Sequence, residues 1–598
     1  MFDILRPKTN KEDQAVTARP GLHRKFVAAV VSAVGLFVAA SALAATGFTG
    51  VAAGDMTAVG AVLWTRTVDA ASGYPLAAPV TAQLAAEPEF HNIPFAFKGA
   101  TDPARAATLK IEATGLQSHA RYYYRFVAAD GAVSPTGTFT TAPREDEKVA
   151  IRSAFSGDAH GGWRPFPLVH RFGDLKLDFF VFLGDTMYEL ASQGSPATAD
   201  PFADPAQALA DYRRKFLENI TPVRPGGSPG LQPLFASQGN YTLLDNHELG
   251  NAQFVSGGAP PGVPPGKGVD PIDPANDANA SCDTMNRTPS FTTLIQAYLD
   301  FQPVRERRVP AAGDCRSDGT WQLYFAQRWG ANSIFINVDD RSYRDIQLKK
   351  SGGDDTGPRA DNPARTILGA TQLAWLEGVL SDAQKQGIVW KIVAVSSPID
   401  QVGRIGPSDG PKSWIGGYRT ERNNLLKFIA DNRIDHVVFL TTDDHFNRVT
   451  GLSYLAEPDD QKSRAPVPGA FTIVAGPIGA MGPDRAAAHD FAAVRSAADA
   501  LVDKQRASGI EPIGVHPDFP GLKGVYREGD PDADARRQPV DFFSADTFNY
   551  VTLDISADGK ALAINTWGID SYPADRFLEP SDVAAPRRIL GFRIEAVK

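Results

Sequence analysis

Carboxylate and imidazole side chains follow apolar runs in this sequence. The stretch "FVFLGDTMYE" (180–189) ends its apolar run at Asp185 and continues to Tyr188. The stretch "SAFSGDAHGGW" places Asp158 and His160 after another short apolar run. An apolar run that stops at Gly-Asp predicts a buried strand whose carboxylate emerges at the carboxyl end, where open α/β sheets bind their ligands.

Two more runs end in the same kind of residue. "YTLLDNHELGN" delivers Asn246 and His247, and "HVVFLTTDDHFNR" delivers Asp443 and His445. Asp, Asn, His and Tyr are hard oxygen and imidazole ligands that suit Mn, Fe, Zn, Mg or Ca. Two such metals about 3.5–4 Å apart can clamp a phosphoryl group during in-line hydrolysis. The pattern therefore predicts a dinuclear site in which Asp185 bridges the metals.

Each signal alone also has a simpler interpretation. A Gly-Asp pair after a strand is often a turn or a helix cap. "DNHE" fits a capping box formed by Asp245 and Glu248, and a single histidine such as His445 can be an ordinary buried residue. However, the chain has only ten histidines, and three of them stand beside Asp or Asn at the ends of apolar runs. This coincidence favours the metal site.

Length and composition indicate a large globular protein. A chain of 598 residues is too long to fold around a single hydrophobic core. Its composition, with 43% hydrophobic and 22% charged residues, is typical of soluble domains. The net charge of −9 provides no basic surface, so no nucleic-acid partner is expected.

The N-terminus has the order of a secretory signal. Arg19, Arg24 and Lys25 precede the apolar run "FVAAVVSAVGLFVAASALA", which closes on Ala42-Leu43-Ala44. We interpret residues 1–44 as a signal peptide cut after Ala44, which predicts a periplasmic, cell-surface or secreted protein without stable membrane insertion after cleavage. The alternative is an uncleaved anchor helix, because the run approaches the ~20 residues of a membrane span.

Cys282 and Cys315 are the only two cysteines. In an oxidising compartment they favour a disulfide that restrains a loop rich in Pro and Gly, and two unrelated thiols are the alternative. Two cysteines are too few for a zinc site built from thiolates.

The texture of the sequence changes near Pro143. Residues 45–143 contain alternating runs such as "ARYYYRFVAADG", which predict a small antiparallel β-sandwich, and "APREDEK" resembles a linker. From residue 149 to 598, strands such as "SIFINV", "KIVAVS" and "FTIVAG" alternate with helical stretches such as "PAQALADYRRKFLENI". This alternation predicts a layered α/β domain, with a loop-rich insertion at 251–320 that includes the irregular segment Gly257 to Ser281.

The ordered set "GDTMYE", "LDNHE" and "VVFLTTDDH" resembles the PhoD-like (alkaline phosphatase D) family of the metallophosphoesterase superfamily. "GVAAGDMTAVGAVLWTRT" is similar to the leading domain of that family, and "NVDDRSYRD" resembles its Asp-x-Arg-x-Tyr-Arg segment. The resemblance implies a four-layer-type α/β domain preceded by an all-β sandwich of immunoglobulin or fibronectin type. It also implies an exported enzyme that hydrolyses phosphomonoesters or phosphodiesters.

The resemblance further implies two or more metal ions, which would be Ca, Fe, Mn or Zn. Its implied ligands are Asp158, His160, Asp185, Tyr188 (as a phenolate), Asn246, Asp443 and His445.

His247 is implied to lie beside the metals and to protonate the leaving alkoxide. Arg341 and Arg344 are candidates for clamping phosphate, with surface salt bridges as the alternative.

One departure concerns the first strand. Family members typically have an iron-ligating cysteine where this sequence has Gly157, which raises the alternative of a catalytically impaired binding or adhesion protein. A hydrolase acting on a different ester is a third possibility, since fold alone does not exclude it. We expect a small-molecule, lipid or cell-wall phosphoester as substrate, selected by loops whose specificity cannot be read from residue types.

Overall fold

The computed structural model describes residues 45–250, 284–345, 361–401, 417–445, 447–457, 460–482, 491–507, 511–544 and 547–597. The predicted signal peptide, the segment Gly257 to Ser281 and Cys282 lie outside these ranges, so the signal and the Cys282–Cys315 disulfide stay predictions. None of the described helices is both long and apolar enough to cross a membrane.

The described strands form three sheets. In chain order they are β1 (Thr46–Thr57), β2 (Gly60–Asp69), β3 (Pro79–Ala85), β4 (Phe95–Ala100), β5 (Thr108–Thr114), β6 (Arg121–Ala128), β7 (Gly137–Thr140), β8 (Ile151–Ser156), β9 (Phe179–Phe182), β10 (Gly239–Thr242), β11 (Phe325–Trp329), β12 (Ser333–Asn337), β13 (Trp390–Ala394), β14 (Val437–Thr441), β15 (Asn447–Leu455), β16 (Arg464–Val474), β17 (Leu522–Arg527), β18 (Phe543–Ser544), β19 (Thr547–Ile555), β20 (Ala561–Asp570) and β21 (Arg587–Glu595).

Two large sheets supply the strand ends that matter for function. The ten-stranded sheet has the order β17-β21-β20-β19-β8-β9-β10-β1-β2-β5, and β8, β9 and β10 run parallel within it. The seven-stranded sheet has the order β11-β12-β13-β14-β16-β15-β18, with β12, β13, β14 and β16 parallel. The predicted apolar runs form these central strands. Every residue of β9 and β14 is buried, as expected for strands covered on both faces.

The described helices pack mostly on the outer faces of the two sheets. They are α1 (Phe172–Leu175), α2 (Pro205–Ile220), α3 (Gln232–Ser237), α4 (Pro289–Phe301), α5 (Ala370–Lys385), α6 (Arg419–Asp431), α7 (Phe491–Ala507) and α8 (Ala533–Arg536). The stretch predicted from "PAQALADYRRKFLENI" is α2 itself, which begins at Pro205 because the Asp204 side chain accepts a hydrogen bond from the Gln207 N–H.

Three apolar clusters define the layering. One cluster joins the facing sides of the two large sheets, for example Val181 of β9 with Phe335 of β12. A second packs the other face of the ten-stranded sheet against α2, α3 and α4, and a third packs the other face of the seven-stranded sheet against α5 and α6. The resulting order is helix, sheet, sheet, helix, as the resemblance implies.

The first hundred described residues are divided between two sheets. Strands β3, β4, β6 and β7 form a separate four-stranded sheet, whereas β1, β2 and β5 belong to the ten-stranded sheet because β1 pairs in parallel with β10. The alternation predicted from "ARYYYRFVAADG" is present in β6, whose residues alternate between buried and more accessible positions. The boundary at residue 143 and the insertion at 251–320 stay predictions.

Candidate metal centre

Four aspartates meet where the parallel strands end. Asp158 follows β8, Asp185 follows β9, Asp245 follows β10 and Asp443 follows β14 of the other sheet. All four are buried, and one carboxylate oxygen of each lies within 4.8 Å of the others. The sequence predicts three members of this four-carboxylate cluster. Asp245 also stands at the end of an apolar run, but it is not among the ligands that we predict from the sequence.

The backbone at these turns adopts an unusual conformation. Asp158, Asp185, Asp443 and His445 have φ of 64°, 54°, 68° and 58°, in the left-handed region that residues with a Cβ rarely occupy. Such conformations cost on the order of 1–3 kcal/mol each and concentrate at functional sites. The strain turns the side chains toward one another at the sheet edges.

The electrostatics of the cluster favour either protonated carboxyl groups or a bound cation. Burial, and next the charge of Asp245, raise the pKa of Asp185 well above its ordinary 3.8. Burial likewise raises the pKa of Asp245, although the Arg341 guanidinium opposes this shift. Asp185 Oδ2 and Asp245 Oδ2 are buried and accept no hydrogen bond from the described residues. Oxygen atoms in this situation fit a hard metal ion.

His445 offers a second test of the fit. Its Nδ1 lies 2.6 Å from the Met481 carbonyl oxygen, so Nδ1–H is the donor and a neutral ring presents the lone pair of Nε2. That Nε2 faces Asp158 Oδ1 and the Tyr188 hydroxyl, each at 3.2 Å. Two acceptors, Nε2 and Oδ1, therefore point at each other, which a metal ion between them or protonation of the ring would relieve.

Tyr188 is close enough to contribute a ligand. Burial, and next the charge of Asp185, raise the pKa of its phenol well above 10. The phenolate implied by the resemblance therefore requires a cation that displaces the phenolic proton.

His160 lies beside the cluster and is not one of its four members. Its Nδ1 accepts a hydrogen bond of 2.9 Å from the Gly162 N–H, and its ring centroid is 4.8 Å from that of Tyr188. Burial, and next the charge of His247, lower the pKa of His160 to about 4, so its ring is neutral at pH 7. Asn246, which lies between Asp245 and His247 in the sequence, is buried.

His247 is held from three sides. Its Nδ1 lies 2.6 Å from Glu189 Oε2, and its backbone N–H donates to Asp185 Oδ1 at 2.9 Å. Its ring stacks on Tyr188 with centroids 3.7 Å apart, and Nε2 lies 3.8 Å from Asp185 Oδ2. Glu189 is a functional candidate that the sequence motifs did not indicate, although it follows Tyr188 directly.

Glu248 joins two of the turns. One of its oxygens accepts hydrogen bonds from the N–H groups of Asp185 and Asp245, each at 2.9 Å. The other oxygen accepts from the N–H and the hydroxyl of Thr186, at 2.5 and 2.7 Å. The capping-box interpretation of "DNHE" therefore explains only the local part of its role.

Arg341 lies inside the cluster. Its side chain is 1% exposed, with Nε 2.6 Å from Asp245 Oδ1 and Nη2 2.9 Å from Asp443 Oδ2. The alternative of a surface salt bridge is therefore wrong for Arg341, and two carboxylates already engage the guanidinium expected to clamp phosphate. Arg344 is also buried, and its Nη2 donates to the Tyr418 hydroxyl at 3.4 Å.

Thr442 occupies the space beside Gly157. A Cβ added at Gly157 would lie 2.8 Å from both Thr442 Cγ2 and Thr442 Oγ1. The Thr442 hydroxyl also hydrogen-bonds to Asp158 Oδ2. A cysteine at position 157 therefore does not fit unless Thr442 moves.

The fold and the site together define a class of protein. Two packed sheets with outer helices deliver carboxylates, an imidazole and a phenol to one edge, which is the arrangement of a metal-dependent hydrolase with an oxygen-rich centre.

The chain belongs to the PhoD-like phosphatase family. The model of that family matches residues 153–510, and the model described as "PhoD-like phosphatase, N-terminal domain" matches residues 37–143.

Known proteins agree with this membership. The chain is 26% identical over 420 residues to alkaline phosphatase D of Bacillus subtilis (strain 168), a match that spans 67% of this chain and 65% of that relative, slightly less than two thirds. The solved structure of PhoD shares the fold, with a TM-score of 0.62 at 20% identity over 92% of this chain and 90% of that one. A purple acid phosphatase from yellow lupin aligns at a TM-score of 0.44 and 13% identity.

Proposed function

We propose that this protein is an exported metal-dependent phosphoesterase that hydrolyses phosphomonoesters or phosphodiesters. The observation that carries the proposal is the cluster of four buried carboxylates at the meeting edges of two sheets, in a chain of the PhoD-like phosphatase family. Within this cluster, Asp185 Oδ2 and Asp245 Oδ2 accept no hydrogen bond from the described residues. Export rests on the sequence pattern of residues 1–44 alone.

The residues present would hold the metal ions. Asp185 would be shared by the two metal ions, and Asp245 joins the ligands implied by the resemblance because its Oδ2 is buried and accepts no hydrogen bond from the described residues. Bound metal ions would supply Lewis acidity and a water of lowered pKa as nucleophile. The remaining proposed ligands are Asp158, His160, Tyr188, Asn246, Asp443 and His445.

His247 is the proposed general acid. The Glu189 carboxylate accepts from Nδ1–H, which leaves Nε2 on the side of Asp185, 3.8 Å from its Oδ2. A proton on Nε2 can then pass to the oxygen of the leaving alcohol, which leaves poorly as an alkoxide. Arg341 neutralises part of the negative charge of Asp245 and Asp443 and keeps them in place.

The test combines metal analysis with hydrolysis assays. Purified protein lacking residues 1–44 is assayed with p-nitrophenyl phosphate and bis-p-nitrophenyl phosphate before and after chelation. We expect about two metal equivalents and activity that is lost with the metal and regained on its return. The ratio of the two rates gives the preference for monoester or diester. Protein that takes up no metal and hydrolyses neither ester after resupply of Mn, Zn, Fe and Ca would contradict the proposal and favour a binding protein.

A further inference from the structure

The last turn of α2 carries an asparagine that contacts two loops of the metal centre. Asn219 is 2% exposed and lies one residue before the C-terminus of the helix. Its side-chain Nδ2 donates to the carbonyl oxygen of Ala159 at 2.6 Å and to that of Thr186 at 2.9 Å. A primary amide has two N–H hydrogens, so both donors are used.

The two acceptors have equivalent positions. Ala159 follows Asp158, and Thr186 follows Asp185, so each accepting carbonyl lies one residue beyond a carboxylate of the cluster. Both aspartates have left-handed backbone conformations, which persist only where surrounding contacts hold them. One side chain thus links the turn after β8 to the turn after β9.

The support for Asn219 is itself rigid. Its backbone carbonyl accepts from the Leu231 N–H at 2.7 Å, which ties the end of α2 to the segment before α3. Neighbouring Glu218 forms an ion pair with Arg164, which lies on the loop that follows Ala159. The end of α2 is therefore a fixed frame against which both turns are placed.

We infer that Asn219 is a positioning residue that sets the separation of Asp158 and Asp185 and thereby the affinity for metal. The inference rests on the proposed function, since these two aspartates are proposed ligands. Outer partners of metal ligands typically contribute about 10–100-fold in metal affinity. Two backbone hydrogen bonds also join the turns, from the Asp158 N–H to the Gly184 carbonyl oxygen and from the Ala159 N–H to the Asp185 carbonyl oxygen. Loss of the Asn219 amide would remove the support that α2 gives to both turns.

Metal binding to chelator-stripped protein tests the inference. Equilibrium dialysis with Mn²⁺, Zn²⁺ or Ca²⁺ alone gives the dissociation constant of the wild type and of Asn219→Leu, a substitution of similar volume without donors. We expect metal binding to weaken by about 10–100-fold. The Mn²⁺ concentration that half-activates p-nitrophenyl phosphate hydrolysis should rise by the same factor, with kcat at saturating Mn²⁺ close to that of the wild type.

Asn240→Leu is the matched control. Asn240 is 1% exposed and also donates to backbone carbonyls, those of Ala53, Phe235 and Gln238, none of which lies beside a carboxylate of the cluster. The control loses comparable buried hydrogen bonds and should keep wild-type metal affinity. Asn219→Ser, which is smaller and keeps one donor, covers the case in which Asn219→Leu does not fold, and an intermediate loss of affinity is expected.

Two results would overturn the inference in distinguishable ways. If the foldable Asn219 variants bind metal as tightly as the wild type, or weaken no more than Asn240→Leu, Asn219 has no positioning role and the proposed function stands. If the wild type itself takes up none of these three metals and no Fe, the proposed function and the inference both fail.

Discussion

The contact between Glu189 and His247 orients the imidazole that we propose as the general acid. A carboxylate 2.6 Å from Nδ1 fixes the ring orientation and favours the tautomer with hydrogen on Nδ1. The same carboxylate stabilises the imidazolium that must form before Nε2 can donate a proton. We therefore expect Glu189 to act through His247.

Replacing Glu189 should have an effect that depends on the leaving group. We expect Glu189→Gln to slow hydrolysis of alkyl phosphate esters by about 10–100-fold, because their alkoxides require protonation. Nitrophenyl esters should be slowed much less, because nitrophenolate leaves without a proton. Steady-state kinetics on both ester types, with metal content measured in parallel, make the comparison.

The control is the effect of Glu189→Gln measured in the His247→Ala variant. If Glu189 acts only through His247, then Glu189→Gln causes no further loss in that background. Equal slowing of alkyl and nitrophenyl esters by Glu189→Gln would argue against a general-acid role for His247.

Gly157 and Thr442 should behave as a coupled pair. We expect Gly157→Cys alone to lower the free energy of unfolding by about 1–3 kcal/mol, because the new Cβ meets Thr442 at 2.8 Å. In a Thr442→Ala background the same change should cost less, since the obstructing atoms are gone. Denaturant unfolding of the two single variants and the double variant measures the coupling. Strictly additive costs would show that Thr442 is not the obstacle.

At the scale of elements, Glu248 connects the ends of two neighbouring strands. The parallel strands β9 and β10 end before Asp185 and Asp245, and the N–H groups of these two residues donate to a side chain. Glu248 accepts from the N–H groups of both turns and so fixes Asp185 relative to Asp245. Burial is the main cause that raises the pKa of Glu248, and its hydrogen bonds oppose that shift.

Replacing Glu248 should weaken the metal site. Glu248→Gln keeps the shape but turns an NH₂ group toward N–H donors, so we expect about 10–100-fold weaker metal binding and reduced stability. Equilibrium dialysis and thermal unfolding measure the two effects.

Glu421 is a matched control for Glu248. It is also buried and accepts from the Ile367 N–H, the Leu368 N–H and the Thr366 hydroxyl, none of which belongs to the four-carboxylate cluster. Glu421→Gln should lose stability yet keep metal affinity. Equal loss of metal affinity in both variants would mean that Glu248 acts only through general stability.

At the scale of the whole molecule, packing of the two sheets brings four buried carboxylates close together. The four carboxylates come from both sheets, and Arg341 can balance only one of their charges. Without metal, the fold must either protonate these groups or tolerate their repulsion. The stability of the protein should therefore depend on both pH and metal.

Metal-free protein should become less stable as the pH rises. The folded-state pKa values of Asp185 and Asp245 are raised above 3.8, so the folded state holds protons that the unfolded chain releases near 3.8. The free energy of unfolding then falls as the pH rises from about 4 through the raised pKa values. The fall is about 1.4 kcal/mol per pH unit for each proton that only the folded state retains.

Saturating metal should reverse this trend, because it replaces the protons and stabilises by about 2.7 kcal/mol at a hundred times its dissociation constant. Thermal unfolding between pH 4 and 9, with chelator or with Mn²⁺, measures both effects. A metal-free protein whose stability is flat across this range would contradict the electrostatic description of the cluster.

The sequence by itself determined the local features. Apolar runs ending in Asp or His predicted β9, β14 and their functional side chains, because strand burial and chain exit depend on neighbours in sequence. The helical stretch that forms α2 was also predicted, and its start at Pro205 depends on a local cap, the Asp204 side chain.

Only the tertiary structure decided which of these side chains meet. Asp245 joins the cluster, His160 lies beside it and Arg341 is buried within it. This follows because sheet order places β8, β9 and β10 side by side and packing brings β14 against them. The roles of Glu248, Asn219 and Thr442 likewise depend on contacts between turns far apart in sequence. Residue type and spacing specify how each strand ends, but distances between strand ends follow from how the sheets pack.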